Sequence, residues 1–366
     1  MRAVPRILMV NDYPLDKYYE NWRKGLTPSQ QLWGKVELDR LGNFEVVMLP
    51  HEKYPFLNKI GNLINITHLD QQVRVLFQLD EIDVIYAPFA AANTKLLLML
   101  KLIGIIEVPI IAVIHYPLLG SNSKSNIVRS IGRNFVKGFD RMVFISHKIK
   151  EDNVKTFSLP SDLNGERFVH MDWGAEASFY KDINVLPNTG EEDYAISVGQ
   201  TDRDFDTLIE AFKKIDFKLR IYSKPGYIPK VKDIPSNVEI FTSGVTYKEL
   251  LGIYKNSRMI LICFKMTQQS TLGMTSLLDA MAMGKPIVIT ENEYLDVNAN
   301  VEKIGYTVAE EDVNGWVEKI NILLNDAPMC IEFGKNALKL HKEKYNMNLF
   351  GINLNNVFME YFKSLK

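Results

Sequence analysis

The sequence predicts an α/β protein made of two Rossmann-like domains, and three observations lead to this fold class. The chain has 366 residues, which is too long for one ordinary core. Short runs rich in Ile and Val alternate with helical patterns, as in parallel sheets covered by helices. The pattern lapses near residues 183–191, where Pro, Asn and Gly favour turns. We therefore predict domains at 1–185 and 186–346.

The predicted strands recur at the spacing of βα units in both halves of the chain. In the first half we expect strands at residues 7–11, 45–50, 83–88, 109–115, 141–146 and 167–172. In the second half we expect them at residues 193–199, 218–223, 237–243, 258–264 and 285–290. Apolar residues close to helical spacing over 347–366 predict a final helix with one face to bury.

Composition and charge exclude several classes of protein. Apolar residues make up 46% of the chain and charged residues 24%, so a disordered or fibrous protein does not fit. The net charge of -1 gives no general attraction to nucleic acid, and any anion site must be local. Two isolated cysteines and the absence of a signal-peptide pattern favour a cytoplasmic protein. The most apolar stretch, residues 96–114, contains charged residues, Gly and Pro, and predicts a buried helix and strand.

The first half contains two candidate ligand-binding elements. The connection after the first strand runs from Asn11 to about Thr27, and it ends with Gly25, Thr27 as a helix N-cap and Pro28 at the first helical position. Free N–H groups there could bind a phosphate, although an ordinary capped helix has the same pattern. His115 ends a strand at the sheet edge where α/β proteins bind ligands. A histidine at this position is compatible with a catalytic role and with a purely structural one.

The second half contains cations and a helix start that could bind an anion. Arg203 follows the strand at 193–199 and Lys224 follows the next strand, so both are expected at one sheet edge. Gly273 precedes a predicted helix whose first residues offer backbone and hydroxyl donors, and Asp279 lies one turn further on, where a carboxylate suits two ribose hydroxyls. The donors at this helix start are Met274, Thr275 and Ser276.

The segment LLDAMAMGKPIVIT, which ends at Thr290, resembles the signature of GT-B nucleotide-sugar glycosyltransferases, in particular the retaining family four. SVGQTDRDFDTLIEAF resembles the opening of the family's donor domain, and HMDWGAEASFY resembles its linker. The resemblance covers nearly the whole chain. It implies two Rossmann-like domains that face each other across a cleft, with the C-terminal helix crossing back to the first domain.

The resemblance also implies roles for individual residues. Asp279 matches the acidic residue that holds the ribose, and Gly273 to Ser276 match the segment that contacts the phosphates and the sugar. Val245 matches a residue whose backbone reads the base. Gly25 to Thr27 match the loop that closes over the diphosphate, and His115 matches the histidine beside the transferred sugar. This assignment requires the carboxylate of Asp279 to face a groove.

The sequence departs from the family pattern at two places. Thr271 stands where the family usually has Glu and has no charge to hold the sugar, for which Gln268, Gln269 or the Thr271 hydroxyl could substitute. Gln200 stands where Arg is common, and Arg203 with Lys224 are expected to replace the usual cationic pair. Both departures bear on the choice of donor sugar and on activity.

The resemblance implies a retaining glycosyltransferase that uses a nucleoside diphosphate sugar, such as a UDP-sugar, without a metal or other cofactor. The acceptor is expected to be a glycan or a lipid-linked molecule of surface polysaccharide or glycoconjugate synthesis. Two alternatives remain open at this stage: a non-catalytic nucleotide-sugar binding protein, favoured by Thr271, and a nucleotide-sugar epimerase of the same fold. A binding protein would show no turnover, and an epimerase would need no acceptor.

Residues 124–150 combine basic and apolar side chains in a partly amphipathic pattern. Such a pattern is compatible with peripheral contact at the anionic inner face of a membrane. A surface helix of a Rossmann-like domain has the same pattern.

Overall fold

The computed structural model describes residues 4–118, 120, 123–159, 167–181, 193–267 and 270–364, without the side chains of residues 91 and 92. The chain forms two compact units, Met1–Trp173 with Met347–Lys366, and Gly174–Asn346. The predicted boundary near 183–191 lies outside the described residues. Within the second unit, the backbone N–H of Ala175 donates to the carbonyl of Tyr345 at 3.0 Å.

Each unit contains one six-stranded parallel sheet. The first has the order β2-β1-β3-β4-β5-β6 and the second the order β12-β11-β10-β7-β8-β9. The strands are β1 (Arg6–Met9), β2 (Glu45–Met48), β3 (Val84–Ala87), β4 (Ile110–Ile114), β5 (Arg141–Phe144), β6 (Phe168–His170), β7 (Ala195–Val198), β8 (Leu219–Tyr222), β9 (Val238–Phe241), β10 (Met259–Ile262), β11 (Ile287–Thr290) and β12 (Gly305–Val308). Every predicted strand is confirmed. The sequence analysis missed β12, an edge strand whose middle residues are half exposed, so its apolar run is weak.

Helices connect the strands and cover the sheets. In the first unit they are α1 (Leu15–Arg23), α2 (Lys35–Leu41), α3 (Pro55–Leu63), α4 (Leu69–Leu76), α5 (Ala90–Asn93), α6 (Lys95–Leu102), α7 (Asn126–Lys137), α8 (His147–Phe157) and α15 (Met347–Ser364). In the second unit they are α9 (Ala177–Tyr180), α10 (Phe205–Phe212), α11 (Tyr247–Asn256), α12 (Met274–Ala282), α13 (Val313–Asn325) and α14 (Ala327–Glu343). No helix in the described part of the chain is long and apolar enough to span a membrane.

The connection after β1 differs from the prediction. It contains α1, which is held by the buried side chain of Leu15. Thr27 is not an N-cap, because Pro28 adopts an extended backbone with ψ 162° and a short 3-10 turn, Ser29–Leu32, begins only after it. A turn of four residues lacks the aligned peptides that make a helix start attractive to anions.

The last helix packs on the first unit, within which α15 lies against α2. A side chain could not be added at Gly34, whose φ of +87° is left-handed and whose Cβ would lie 2.7 Å from Cδ2 of Leu354. Phe350, Leu354 and Phe358 of α15 are fully buried. A hydrogen bond of 3.0 Å between the side chains of Asn43 and Asn355 adds a polar contact.

Candidate active site

The second sheet reverses its strand order between β7 and β10. In open α/β sheets such a switch point opens a crevice at the carboxyl ends of the strands, where ligands bind. Arg203 follows β7, and α12 begins after β10. The topology therefore places the strongest candidate residues of this unit where ligand binding is expected.

The guanidinium of Arg203 makes one side-chain hydrogen bond to the described residues. Its Nη2 donates to Oγ of Ser276 at 2.9 Å, while Nε and Nη1 are buried with no partner among the residues that the structure describes. Burial lowers the pKa of Arg203 from its usual value. Gly199 makes room for the guanidinium, since a Cβ at this position would lie 1.8 Å from Nε. A buried guanidinium with open donors is suited to bind an anion bidentately.

The start of α12 adds backbone donors on the same side as Arg203. Gly273 is its N-cap, with a left-handed φ of 93° and no side-chain cap. The N–H of Met274 already donates to the carbonyl of Thr271 at 3.1 Å. Thr275 and Ser276 follow in the first turn, whose N–H groups have no partner within the helix. Because Ser276 also contacts Arg203, the helix start and the guanidinium form one local anion site.

Asp279 does not face a groove, contrary to the prediction. Its side chain is buried, with an exposed fraction of 3% for the residue. Oδ1 accepts a hydrogen bond from the hydroxyl of Tyr180 at 2.6 Å and another from the hydroxyl of Tyr247 at 2.7 Å. Burial raises the pKa of Asp279 to about 6, and the two hydroxyls partly offset that effect. Oδ1 of this carboxylate is therefore already engaged by two phenols in this arrangement.

The positions of the other residues predicted to bind the donor do not test their roles. Lys224 is exposed after β8, and Val245 lies just before the capping box that starts α11. The carbonyl of Thr271 holds the start of α12, and its side chain is half buried. The alternative sugar contacts at residues 268–269 lie outside the described residues. Lys265, which the sequence analysis missed, follows β10 and pairs with Glu311.

His115 lies in an aromatic environment at the end of β4 in the first unit. Its ring stacks on Trp33 with centroids 5.0 Å apart and meets the edge of Phe89 at 5.4 Å. Nδ1 is buried and has no partner within the described ranges. Burial lowers the pKa of His115 to about 4, so the imidazole is neutral near pH 7. A neutral ring with an open nitrogen can bind a hydroxyl group.

A small pocket opens beside His115, with an internal volume of about 60 Å³. Asp12, Phe89 and Tyr116 are among its lining residues. The sequence analysis missed Asp12, which follows β1 and pairs with the imidazole of His68. That hydrogen bond is the main cause that holds the pKa of Asp12 below its ordinary value. The pocket thus combines a carboxylate, a neutral imidazole and aromatic rings, a set of groups suited to a sugar.

In the loop predicted to close over a diphosphate, the N–H of Gly25 donates to the carbonyl of Trp22 at 2.8 Å. Gly25 has a left-handed φ of +64°, and no atom lies within 4 Å of a Cβ built there. The hydroxyl oxygen of Thr27 is buried without a hydrogen-bond partner in the described segments. Their phosphate-binding role stays a prediction.

Solved structures of similar fold cover almost the whole chain. A glycosyltransferase from Rickettsia africae has 13% identity and a TM-score of 0.66, over 99% of this chain and 100% of the other. HepE from Anabaena, in complex with UDP, has 12% identity and a TM-score of 0.67, over 98% and 100%. Sucrose-phosphate synthase from Thermosynechococcus elongatus has 11% identity and a TM-score of 0.67, again over 98% and 100%. No curated protein sequence matches the chain significantly.

Comparison with protein-family models identifies the class of enzyme. Residues 179–340 match the family model described as Glycosyl transferases group 1, and this range contains Arg203, the start of α12 and Asp279. The protein is a glycosyltransferase with the GT-B fold. The resemblance predicted from the sequence is thereby confirmed. The family match extends over residues 179–340 and does not depend on one side chain. The sequence analysis was therefore wrong to make an exposed Asp279 a condition for assigning this glycosyltransferase.

Proposed function

We propose that this glycosyltransferase moves a sugar from a nucleoside diphosphate sugar, with UDP as the nucleotide, to a glycan or lipid-linked acceptor. The anomeric configuration is retained, and the product belongs to surface polysaccharide or glycoconjugate synthesis. The observation that carries the proposal is the guanidinium of Arg203, with two buried nitrogens unpaired among the described residues and a third on Ser276. The UDP complex of HepE supports the choice of nucleotide.

The chemistry follows from where negative charge develops. When the bond to the anomeric carbon breaks, charge accumulates on the leaving diphosphate. Fixed donors that are already oriented towards this charge stabilise the transition state without reorganisation. Arg203 and the first turn of α12 provide a full positive charge and a helix N-terminus, so we propose that no metal ion is required.

Retention requires the acceptor to attack from the face that the diphosphate leaves. In the proposed reaction the departing phosphate takes the acceptor proton, and no side chain becomes covalently attached to the sugar. His115 is neutral and has an open Nδ1, and it would bind a hydroxyl of the sugar rather than donate a proton.

The primary test is the affinity of Arg203 variants for UDP and for inorganic pyrophosphate, measured by titration calorimetry. Arg203→Gln is expected to weaken both by about ten- to a hundredfold, because it removes charge-assisted hydrogen bonds. Arg203→Lys should retain part of the affinity. Lys213→Gln removes an exposed cation that pairs with Glu210 and serves as the control. Unchanged pyrophosphate affinity in Arg203→Gln would remove the anion site and with it the proposal.

Reaction assays test the remaining parts. A panel of UDP-, GDP- and ADP-sugars with candidate acceptors identifies the donor, and the proton NMR coupling of the anomeric centre reports the configuration of the product. A product with inverted configuration contradicts the retaining mechanism. Loss of transfer on addition of EDTA, restored by Mg²⁺, contradicts metal independence.

We also propose that α7 contacts an anionic membrane. Ile127 and Ile131 are exposed, at 75% and 45%, and Arg133 and Lys137 are exposed on the same helix. Isoleucines with neighbouring cations are typical of helices that bind at lipid interfaces. The double variant Ile127→Ser/Ile131→Ser should lose flotation with vesicles that contain phosphatidylglycerol. Ile228→Ser, exposed at 81% in the other unit, is the control, and absence of flotation by the wild type at low salt contradicts the proposal.

A further inference from the structure

One asparagine side chain holds the loop that leads into α12. Asn292 lies two residues after the end of β11, and its Nδ2 donates to the carbonyl of Ser270 at 3.1 Å and to that of Leu272 at 3.0 Å. Its Oδ1 accepts a hydrogen bond from the N–H of Tyr294 at 2.9 Å. These three hydrogen bonds fix the orientation of the amide, because its oxygen and both of its hydrogens are used. We name the amide of Asn292 with the two carbonyls that it binds the asparagine clamp.

The asparagine clamp restrains the backbone on both sides of Thr271. The two clamped carbonyls flank this residue, and its own carbonyl accepts a hydrogen bond from the N–H of Met274 at 3.1 Å. Three successive carbonyl groups are therefore held, two by a side chain that follows β11 and one by the first residue of α12. The loop before α12 thus has a defined shape before any ligand binds.

The end of β11 supports the same helix start at a second point. Thr290 is the last residue of β11, and its Oγ1 accepts a hydrogen bond from the N–H of Phe264 at 3.2 Å. The ring of Phe264 lies against Gly273, since a Cβ built on this glycine would lie 2.7 Å from the ring. The start of α12 is therefore tied to β11 both through Asn292 and through Phe264.

We infer that Asn292 is a positioning residue for the anion site at the start of α12. The N–H groups of a first turn stabilise developing negative charge best when their direction is fixed beforehand. The asparagine clamp fixes the segment that immediately precedes this turn, so it acts through the backbone of residues 270–272 and not through a contact of its own with the ligand. The inference rests on the proposed function, since it requires a diphosphate bound at α12.

The test combines two measurements on the full chain. Hydrogen exchange, followed by mass spectrometry of peptides that cover residues 270–277, reports how firmly the loop and the first turn are held. Calorimetric titration with inorganic pyrophosphate reports the affinity of the anion site. Asn292→Ala removes both donors of the asparagine clamp. It is expected to accelerate exchange in these peptides and to weaken pyrophosphate binding by about three- to tenfold.

A second variant keeps the local turn after β11. Asn292→Ser retains an acceptor for the N–H of Tyr294 and one hydrogen to donate, so both effects should have the same direction and be smaller than in Asn292→Ala. A graded response of this kind is expected when the hydrogen bonds of residue 292, rather than its volume, hold the loop.

Asn237→Ala is the matched control in the same unit. Asn237 is half buried, as Asn292 is, and its Nδ2 also donates to backbone carbonyls, those of Phe212, Ile215 and Phe217. It directly precedes β9 and so lies at the amino ends of the parallel strands, whereas α12 begins beyond their carboxyl ends. Its loss should lower the Tm and leave both the exchange over residues 270–277 and the pyrophosphate affinity as in the wild type.

The outcomes separate this inference from the proposed function. A wild-type protein that binds neither pyrophosphate nor UDP overturns both. If the wild type binds and both Asn292 variants keep its pyrophosphate affinity or its exchange over residues 270–277, the inference alone is wrong. If Asn237→Ala weakens pyrophosphate binding as much as Asn292→Ala does, the effect is a general loss of stability, and the inference is again wrong. Where Asn292→Ala does not fold, Asn292→Ser decides by the same two measurements.

Discussion

Burial of His115 makes the stability of the first unit depend on pH. The ring is 7% exposed and is surrounded by aromatic side chains, which disfavour its charged form. Its pKa falls from 6.5 to about 4, with Asp12 offsetting only a part of the desolvation. The unfolded chain therefore binds this proton at a higher pH than the folded one. The free energy of unfolding must decrease as the pH falls from about 6.5 to about 4.

The magnitude follows from the size of the shift. A difference of about 2.5 pKa units corresponds to about 3 kcal/mol of stability that is present at pH 7 and lost by pH 4. Other groups titrate over the same range, so the contribution of His115 is the difference between the wild type and His115→Gln. The glutamine variant cannot take up this proton, and its stability should fall less steeply with decreasing pH.

The assay is urea unfolding at several pH values, followed by tryptophan fluorescence, to which Trp33 next to His115 contributes. Ile228→Ser, at a position 81% exposed and without a titratable group, serves as the control and should follow the wild type. Parallel pH profiles for the wild type and His115→Gln would refute the argument, because they would show that the ring titrates equally in the folded and unfolded chains.

Two further variants test contacts in the second unit. Gly273→Ala should lower the free energy of unfolding by about 1–3 kcal/mol in urea titrations, and it should weaken pyrophosphate binding. The φ of +93° at this position disfavours a side chain, and the new Cβ would lie 2.7 Å from the ring of Phe264. Gly252→Ala, in a helix with nothing within 4 Å of its Cβ, should not destabilise the protein, and equal effects at both positions would contradict the reasoning. Lys285→Met should destabilise the protein by about 2 kcal/mol at neutral pH, because the buried amine donates to the carbonyls of Lys255 and Ser257 at 2.7 Å each. A variant with the Tm of the wild type would refute this prediction.

Lys285 is a residue of the family motif that stabilises the fold through two hydrogen bonds to backbone carbonyls. It belongs to the segment that identified the family, and a lysine there could be taken for a phosphate ligand. The side chain is instead fully buried and ties the end of α11 to the start of the next strand. Burial lowers its pKa to about 8, in accord with an amine that is withdrawn from water.

The site was only partly predictable from the sequence. Arg203 and the start of α12 were expected to bind an anion together, and their contact through Ser276 supports that expectation. The closure of Asp279 was not predictable, because Tyr180 is 99 positions away in the sequence and Tyr247 is 32 positions away. In the sequence both are ordinary tyrosines, and nothing near them in the chain marks them as partners of Asp279.

The sequence by itself determined the fold class, eleven of the twelve described strands and the family of the second unit. These features depend on the spacing of apolar residues and on turn-forming residues, which are local properties of the chain. Tertiary structure alone decided which polar groups are open. It left nitrogens of Arg203 and His115 unpaired among the described residues and closed the carboxylate of Asp279. The reason is physical: hydrogen-bond satisfaction and desolvation depend on every group packed around an atom, and most of these groups come from distant parts of the chain.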